Sequence, residues 1–178
     1  MKYKKIISKW IEDIVIGLNL CPFAKVPFHN NDILINICES EISHKVFLAF
    51  EKEIQFLQRN PSVQTTLLVT PNFSRDFLDF NDFIFDLNQE LEFKKVEHLF
   101  QIVAFHPDFT FKGQNFNDRV NYVNRSPFPL IHILRTQSIT DLNLSPNDGE
   151  KINLQNEKTL NSLTHKQMDR VIKRLNKF

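Results

Sequence analysis

The stretch that decides the fold runs from residue 99 to residue 135 and contains two apolar runs separated by a long polar segment. The runs are Leu99-Phe100-Gln101-Ile102-Val103-Ala104-Phe105 and Leu130-Ile131-His132-Ile133-Leu134-Arg135. Short apolar runs of this kind, each with a proline near one end, are typical of buried strands. The residues between them, 107–129, form a longer connection than is usual for a loop without secondary structure. We therefore expect two strands that can pair antiparallel through a long loop.

Helical and strand patterns alternate through the preceding part of the chain. Apolar spacing predicts a helix over 4–18, a second after the candidate N-cap Ser40, and a third that begins between Ser74 and Asp79. Runs at 33–38 and 65–70 predict two further strands. Helices that link strands favour parallel neighbours. The sequence thus predicts an α/β (α+β) single-domain sandwich, with a mixed sheet of about four strands covered by helices.

The C-terminal end is predicted to be a helical tail. Its apolar residues recur at helical spacing, at Met168, Val171, Ile172, Leu175 and Phe178. A basic face lies opposite, formed by Lys166, Arg170, Lys173, Arg174 and Lys177. We assign residues 1–163 to one α/β domain and 164–178 to a C-terminal helical extension. The basic face could contact nucleic acid or a membrane, although such a pattern is more often a solvated face over a packed stripe.

The composition of the chain limits which binding partners and which cellular compartment we expect. The 178 residues suffice for one domain with a sizeable core, and Lys+Arg 22 against Asp+Glu 21 leaves a net charge of +1. Nucleic acid is therefore an unexpected partner. No apolar run approaches the roughly 18 residues that span a bilayer, so no membrane segment is expected. Two cysteines cannot form a disulfide framework, and we expect a cytoplasmic protein with reduced thiols. The oligomeric state is not predicted.

No nucleotide-binding motif is present. The three glycines, Gly17, Gly113 and Gly149, lie too far apart for a glycine-rich phosphate cradle or a dinucleotide fingerprint. The cofactor therefore stays open. A metal ion is one option, because Cys21, His106, Asp108 and His132 have suitable ligand chemistry. No local spacing such as C-x-x-C supports it.

The candidate catalytic residues are His106, Cys21 and His132. His106 follows the first of the two strands and precedes a proline, and strand ends are where α/β proteins usually place reactive side chains. Cys21 follows the first helix, whose negative end would raise the pKa of the thiol unless a cation lies beside it. His132 lies between two isoleucines, so we expect it to be buried and in need of a partner.

The candidate substrate-binding residues are Arg125, Arg135, Asn124, Ser126 and Asp108. Arg125 carries a permanent charge and precedes a hydroxyl on a loop stiffened by two prolines, which suits a carboxylate or phosphate. An equally good interpretation makes Arg125 a brace that holds the loop through backbone carbonyls. Strand alternation places Arg135 on the opposite face from His132 unless a bulge intervenes.

Three hypotheses about function follow. The leading one is a small cytoplasmic enzyme that acts on an anionic small molecule, with His106 as general acid or base. It requires Cys21, His106 and Arg125 to share one pocket, with at least two of them partly accessible. The alternatives are a metal-binding protein that uses Cys and His ligands, and a non-enzymatic binding module whose basic tail recruits RNA or another protein.

Three separated blocks resemble a known family. They are residues 18–24, residues 105–109, and residues 124–129 followed by His132 and Leu134-Arg135. In this order, over about residues 5 to 160, they resemble an uncharacterised bacterial family catalogued as domain of unknown function 1415. The resemblance implies a soluble bacterial protein that is mostly this one domain, and it implies no activity. Its blocks coincide with the candidate site.

Overall fold

The computed structural model describes residues 2–141 and 148–176, which form a four-stranded sheet with helices on both faces. The strands are β1 Ile33–Ile37, β2 Thr65–Val69, β3 Phe100–Phe105 and β4 Leu130–Arg135, in the order β1-β2-β4-β3. β1 and β2 are parallel, and β4 is antiparallel to both β2 and β3. This arrangement confirms the predicted mixed sheet and the antiparallel pairing of the last two strands.

The sheet has two distinct ends. β1, β2 and β3 end at the same edge, where β4 begins, and we call this the upper edge. Leu130 faces Phe105 there, whereas Arg135 faces Phe100 at the opposite, lower edge. The upper edge therefore receives the loop after β2 and both ends of the long 106–129 connection.

Seven α-helices surround the sheet in the described residues. They are α1 Lys2–Trp10, α2 Lys25–His29, α3 Ser43–Arg59, α4 Phe77–Phe93, α5 Thr136–Thr140, α6 Asp148–Ser162 and α7 His165–Leu175. A π-helix, Ile11–Ile16, continues α1, and a 3₁₀-helix, Arg119–Val123, lies in the long connection. None of the helices that the structure describes has the length and apolar character needed to cross a bilayer.

The first helix differs from its prediction. A regular helix was expected over 4–18, but the π-helix replaces it from Ile11. The N–H of Gly17 donates to the carbonyl oxygen of Glu12, five residues earlier, at 3.0 Å. A Cβ at Gly17 would collide with the carbonyl oxygen of Asp13. Only glycine fits this close approach without displacing the backbone.

The starts of α3 and α4 show how local capping sets helix boundaries. Ser40 was expected to cap α3, yet the helix begins at Ser43 and the Ser40 hydroxyl instead accepts the N–H of Ile42 at 3.1 Å. Ser40 thus forms a turn before the helix, a common alternative for serine. α4 starts within its predicted range, because the Asp76 carboxylate accepts the N–H groups of Leu78 and Asp79 at 2.8 and 3.2 Å.

The sheet separates two hydrophobic layers. α3 and α4 cover one face, where Phe50, Leu57, Phe80 and Leu87 pack on Leu68, Ile131 and Ile133. α1, α6 and α7 cover the other, where Ile7, Trp10, Leu160 and Met168 pack on Leu67 and Leu130. In α7 the predicted inward positions Met168, Val171 and Leu175 are buried. Phe178 and Lys177, which were assigned to the two faces of this helix, lie outside the described residues.

Candidate functional site

His106 lies at the upper edge and is fully buried. Its Nε2 donates to the carbonyl oxygen of Ser74 at 3.1 Å, and its Nδ1 accepts the N–H of Asp108 at 3.0 Å. These partners place the proton on Nε2 and use both ring nitrogens. The rings of Phe77 and Phe80 lie 5.6 and 5.4 Å away. Burial lowers the pKa of His106, so the imidazole is neutral at pH 7.

The backbone on either side of Arg125 is hydrogen-bonded to His106, but the Arg125 side chain points into the long loop. Its Nε donates to the carbonyl oxygen of Phe109 at 3.2 Å, and its Nη2 donates to that of Phe116 at 2.6 Å. The guanidinium carbon lies 4.5 Å from the ring centroids of Phe116 and Tyr122. The side chain is 5% exposed. These contacts are those of the loop brace, the second of the two interpretations of Arg125.

Asn124 and Ser126 also bond to backbone. Asn124 Nδ2 donates to the carbonyl oxygen of Ala104 at 3.1 Å, and the Ser126 hydroxyl donates to that of Phe128 at 2.6 Å. Both residues therefore shape the return of the long loop to β4.

Asp108 differs from these neighbours, because it is exposed and lines a cavity. The cavity has a volume of about 520 Å³, and its other lining residues include Arg75, Asp76, Thr110 and Phe116. Among the candidate substrate-binding residues, Asp108 is the exposed one, whereas Arg125 and Ser126 are buried.

Arg135 lies at the lower edge of the sheet, so the structure does not bring it to His106 or Arg125. Its Nε donates to the carbonyl oxygen of Val63 at 2.8 Å, and its Nη2 donates to those of Asn60 at 2.9 Å and Leu57. These carbonyls belong to the last turn of α3 and the loop that follows. Arg135 therefore satisfies groups that a helix C-terminus leaves without intrahelical partners.

His132 is on the sheet face covered by α1, α6 and α7, beside Leu67 and Val103 in the ladder. Its Nε2 is buried and has no hydrogen-bond partner within the described residues. Burial lowers the pKa of His132 to about 4. His132 is thus half-buried rather than fully buried, with Nε2 itself enclosed, and the expected partner of this atom is not found in the described part of the chain.

Cys21 follows the π-helix and carries a free, half-buried thiol. Burial raises the pKa of this thiol, and hydrogen bonds from the N–H groups of Phe23 and Ala24 offset the effect only in part. Within residues 2–141 and 148–176, no hydrogen bond or ring contact joins Cys21 to His106 or Arg125. The same ranges contain no group of three Cys, His, Asp or Glu side chains that could hold a metal ion.

A second cavity lies between the π-helix and α7. This terminal groove has a volume of about 450 Å³, and it is lined by Asp13, Ile14, Leu18, Leu163, Gln167, Arg170, Val171, Lys173 and Arg174. Arg174 forms an ion pair with Asp13 across the groove. Arg170 and Lys173 are exposed and form no ion pair with any described residue. The basic face of the tail was visible in the sequence, but its contact with the π-helix was not.

The fold and these cavities define the class of the protein: an α/β sandwich with a mixed four-stranded sheet and a basic groove between its terminal helices. The family model described as "Protein of unknown function (DUF1415)" matches residues 2–170, and the chain belongs to this family. The resemblance noted from the three sequence blocks is thereby confirmed, and the matched region extends into α7. No curated protein and no solved structure matches the chain.

Proposed function

We propose that this protein binds a small amphipathic anion in the terminal groove. The observation that carries the proposal is the pair of exposed cations, Arg170 and Lys173, beside an apolar floor whose partly exposed members are Leu18 and Leu163. A volume of about 450 Å³ lies within the range of small-molecule sites. An apolar chain would cover the floor, while a carboxylate or phosphate would accept hydrogen bonds from the two cations.

The surroundings of the groove support this assignment. Asp13 is already paired with Arg174, so the ion pair neutralises one charge of each sign and leaves Arg170 and Lys173 for a ligand. The π-helix contributes Asp13 and Ile14 to the lining. π-helical turns occur frequently at functional sites. Placing cations in the last turns of α7 also stabilises that helix, which explains Lys173 and Arg174 without a ligand. Core packing likewise explains Ile14 and Val171, so the features left for a ligand are the exposed Arg170 and the half-buried Leu18 and Leu163.

The enzyme hypothesis remains a second proposal with a different location, although its expectation that two of Cys21, His106 and Arg125 are partly accessible is not met, because His106 and Arg125 are both buried. It is favoured by the cavity at the upper edge, where Asp108 and Thr110 lie beside the loop braced by Arg125. A catalytic role for His106 would require its hydrogen bond to Ser74 to break. Roles for Cys21 and His132 in catalysis, and a bound metal, remain hypotheses from the sequence.

The setting that we propose is the bacterial cytoplasm. Its support is the family resemblance to bacterial sequences and the two free thiols, Cys21 and Cys38. Nucleic acid stays an unexpected partner because the chain as a whole carries a net charge of only +1.

Thermal denaturation with defined probes tests the terminal groove. Octanoate should raise the melting temperature, whereas octanol, which lacks the charge, and inorganic phosphate, which lacks the chain, should have much smaller effects. The double variant Arg170→Gln/Lys173→Gln should lose the octanoate effect. The control Lys45→Gln/Lys112→Gln removes the same charge from exposed positions elsewhere and should keep it. No stabilisation of the unaltered protein, or equal stabilisation of the groove variant, would refute the proposal.

A further inference from the structure

The outer face of α4 carries large exposed apolar side chains. Leu78 is 71% exposed, Phe85 is 62% exposed, and Phe93 at the end of the helix is 83% exposed. Leu78 and Phe85 lie seven residues apart, so they share one stripe about 10 Å long. The inward stripe of α4 is separately buried against the sheet. Apolar residues on two opposite faces are typical of a helix that packs against a partner on each face.

The same outer face is strongly acidic. Between Phe77 and Phe93 the helix contains five acidic residues and no lysine or arginine; the acidic residues are Asp79, Asp82, Asp86, Glu90 and Glu92. Glu90 forms an ion pair with Lys94 at 3.1 Å, and no ion pair to the other four is found among the described residues. Glu90 and Glu92 lie in the last turn, where negative charge opposes the helix dipole. The helix dipole therefore favours Asp79 in the first turn but does not explain the acidic residues that follow it.

Recesses adjoin the stripe. One, of about 370 Å³, is lined by the rings of Phe47 and Phe83, the carboxylate of Asp86, and the side chains of Ser43 and His44. Leu78 forms part of the rim of the upper-edge cavity on the other side. An apolar surface next to a carboxylate suits a lysine or arginine, whose hydrocarbon stem covers the rings while its charged end reaches the acid.

We propose that the outer face of α4 binds a basic amphipathic helix of another protein. Apolar side chains of that helix, spaced about seven residues apart, would pack on Leu78 and Phe85, and flanking lysines and arginines would face Asp82 and Asp86. Charge disfavours the other occupants. Nucleic acid and anionic lipid surfaces are repelled by this face, and α4 of a second copy would bring like charges together.

Fluorescence anisotropy with two synthetic peptides tests this interaction. The first peptide is a helix of about 18 residues with leucines on one stripe and lysines and arginines beside it, and the second has glutamate at every basic position. The basic peptide should bind with an affinity that falls as salt is added, and the acidic one should not bind. Phe85→Ser should weaken binding at least about tenfold. Asp82→Asn/Asp86→Asn should lower both the affinity and its salt dependence.

Controls separate binding from folding. Leu154→Ser removes a half-exposed apolar side chain from α6, on the opposite helical layer, and should leave binding unchanged. The α4 variants should keep the melting temperature of the unaltered protein, because the replaced side chains are exposed. Backbone amide shifts in a ¹⁵N-labelled sample should concentrate in residues 77–93. The groove variant Arg170→Gln/Lys173→Gln should bind the peptide normally, so failure here is distinguishable from failure of the proposed function.

Three outcomes would overturn the proposal. Equal binding of the two peptides would show that charge complementarity is not involved. Binding that Phe85→Ser does not weaken would place the peptide elsewhere. Self-association of the free protein in light scattering, abolished by Phe85→Ser, would identify a second copy as the occupant.

Discussion

His106 Nε2 lies 3.1 Å from the carbonyl oxygen of Ser74, and this hydrogen bond joins the end of β3 to the loop that leads from β2 into α4. Nδ1 of the same ring accepts a hydrogen bond from the N–H of Asp108 at 3.0 Å. The imidazole thus fixes the two loops that border the upper-edge cavity relative to each other. The sequence predicted a catalytic role for His106 from its position at a strand end. These two contacts give that position a structural role instead.

Replacing His106 by alanine is therefore expected to destabilise the fold. The change leaves a cavity and removes the partners of a backbone carbonyl and a backbone N–H, for which we expect the free energy of unfolding to fall by about 2–4 kcal/mol. Urea denaturation at pH 7.5 measures the loss. His98→Ala, at an exposed position, is the control and should change stability by less than about 0.5 kcal/mol. Similar stabilities for the two variants would contradict the structural role.

Arg125→Ala should loosen the long loop. Two donors to the carbonyl oxygens of Phe109 and Phe116 are lost, together with the stacking on two rings, and we expect a loss of about 1–3 kcal/mol. Arg125→Lys should restore little, because an ammonium does not reproduce the planar fork of a guanidinium. Hydrogen exchange over residues 107–118 should speed up in both variants. Lys112→Ala, exposed in the same loop, should leave exchange unchanged; full rescue by lysine would argue against the brace.

The regular part of the fold was predictable because its signals are local. The apolar runs of β3 and β4 and the inward stripe of α4 at Phe80, Phe83 and Leu87 each follow from sequence spacing. The π-helix was missed because Ile11 and Ile14 suit a π-helical turn and an α-helical turn equally well. The short helices α2 and α5 lack a full amphipathic period.

The candidate site was harder to predict because the role of an arginine depends on which atoms surround it. Arg125 and Arg135 both donate to backbone carbonyls, and those of Leu57 and Asn60 are distant in sequence from Arg135. The terminal groove needs residues from both ends of the chain, such as Asp13 and Arg170. No pattern within a single segment could indicate that contact.

Arg135→Ala should destabilise the end of α3. The change leaves the carbonyl oxygens of Leu57, Asn60 and Val63 without this donor, and we expect a loss of about 1–3 kcal/mol in urea denaturation. Arg59→Ala, at an exposed position of the same helix, serves as the matched control. Octanoate should stabilise Arg135→Ala by as much as it stabilises the unaltered protein, since Arg135 lies outside the terminal groove. Loss of that effect would give Arg135 a part in binding.

His132 should make stability depend on pH between about 4 and 6.5. Its pKa falls from 6.5 in the unfolded chain to about 4 in the folded one, so the unfolded state binds the extra proton in this window. The contribution of His132 to the free energy of unfolding is therefore largest above pH 6.5, and it falls as the pH drops toward 4. At 1.36 kcal/mol per pKa unit the full difference is about 3 kcal/mol.

His132→Phe should remove this dependence. Nε2 has no partner among the described residues, so the substitution loses no hydrogen bond at this atom. It also removes a polar atom whose burial is unfavourable. Urea denaturation of both proteins at pH 4, 5, 6, 7 and 8 isolates the group, because His106 and the carboxylates are common to the two. The variant should gain stability over the unaltered protein progressively below pH 6.5. A difference between the two curves that stays constant with pH would show that His132 titrates normally and has access to water.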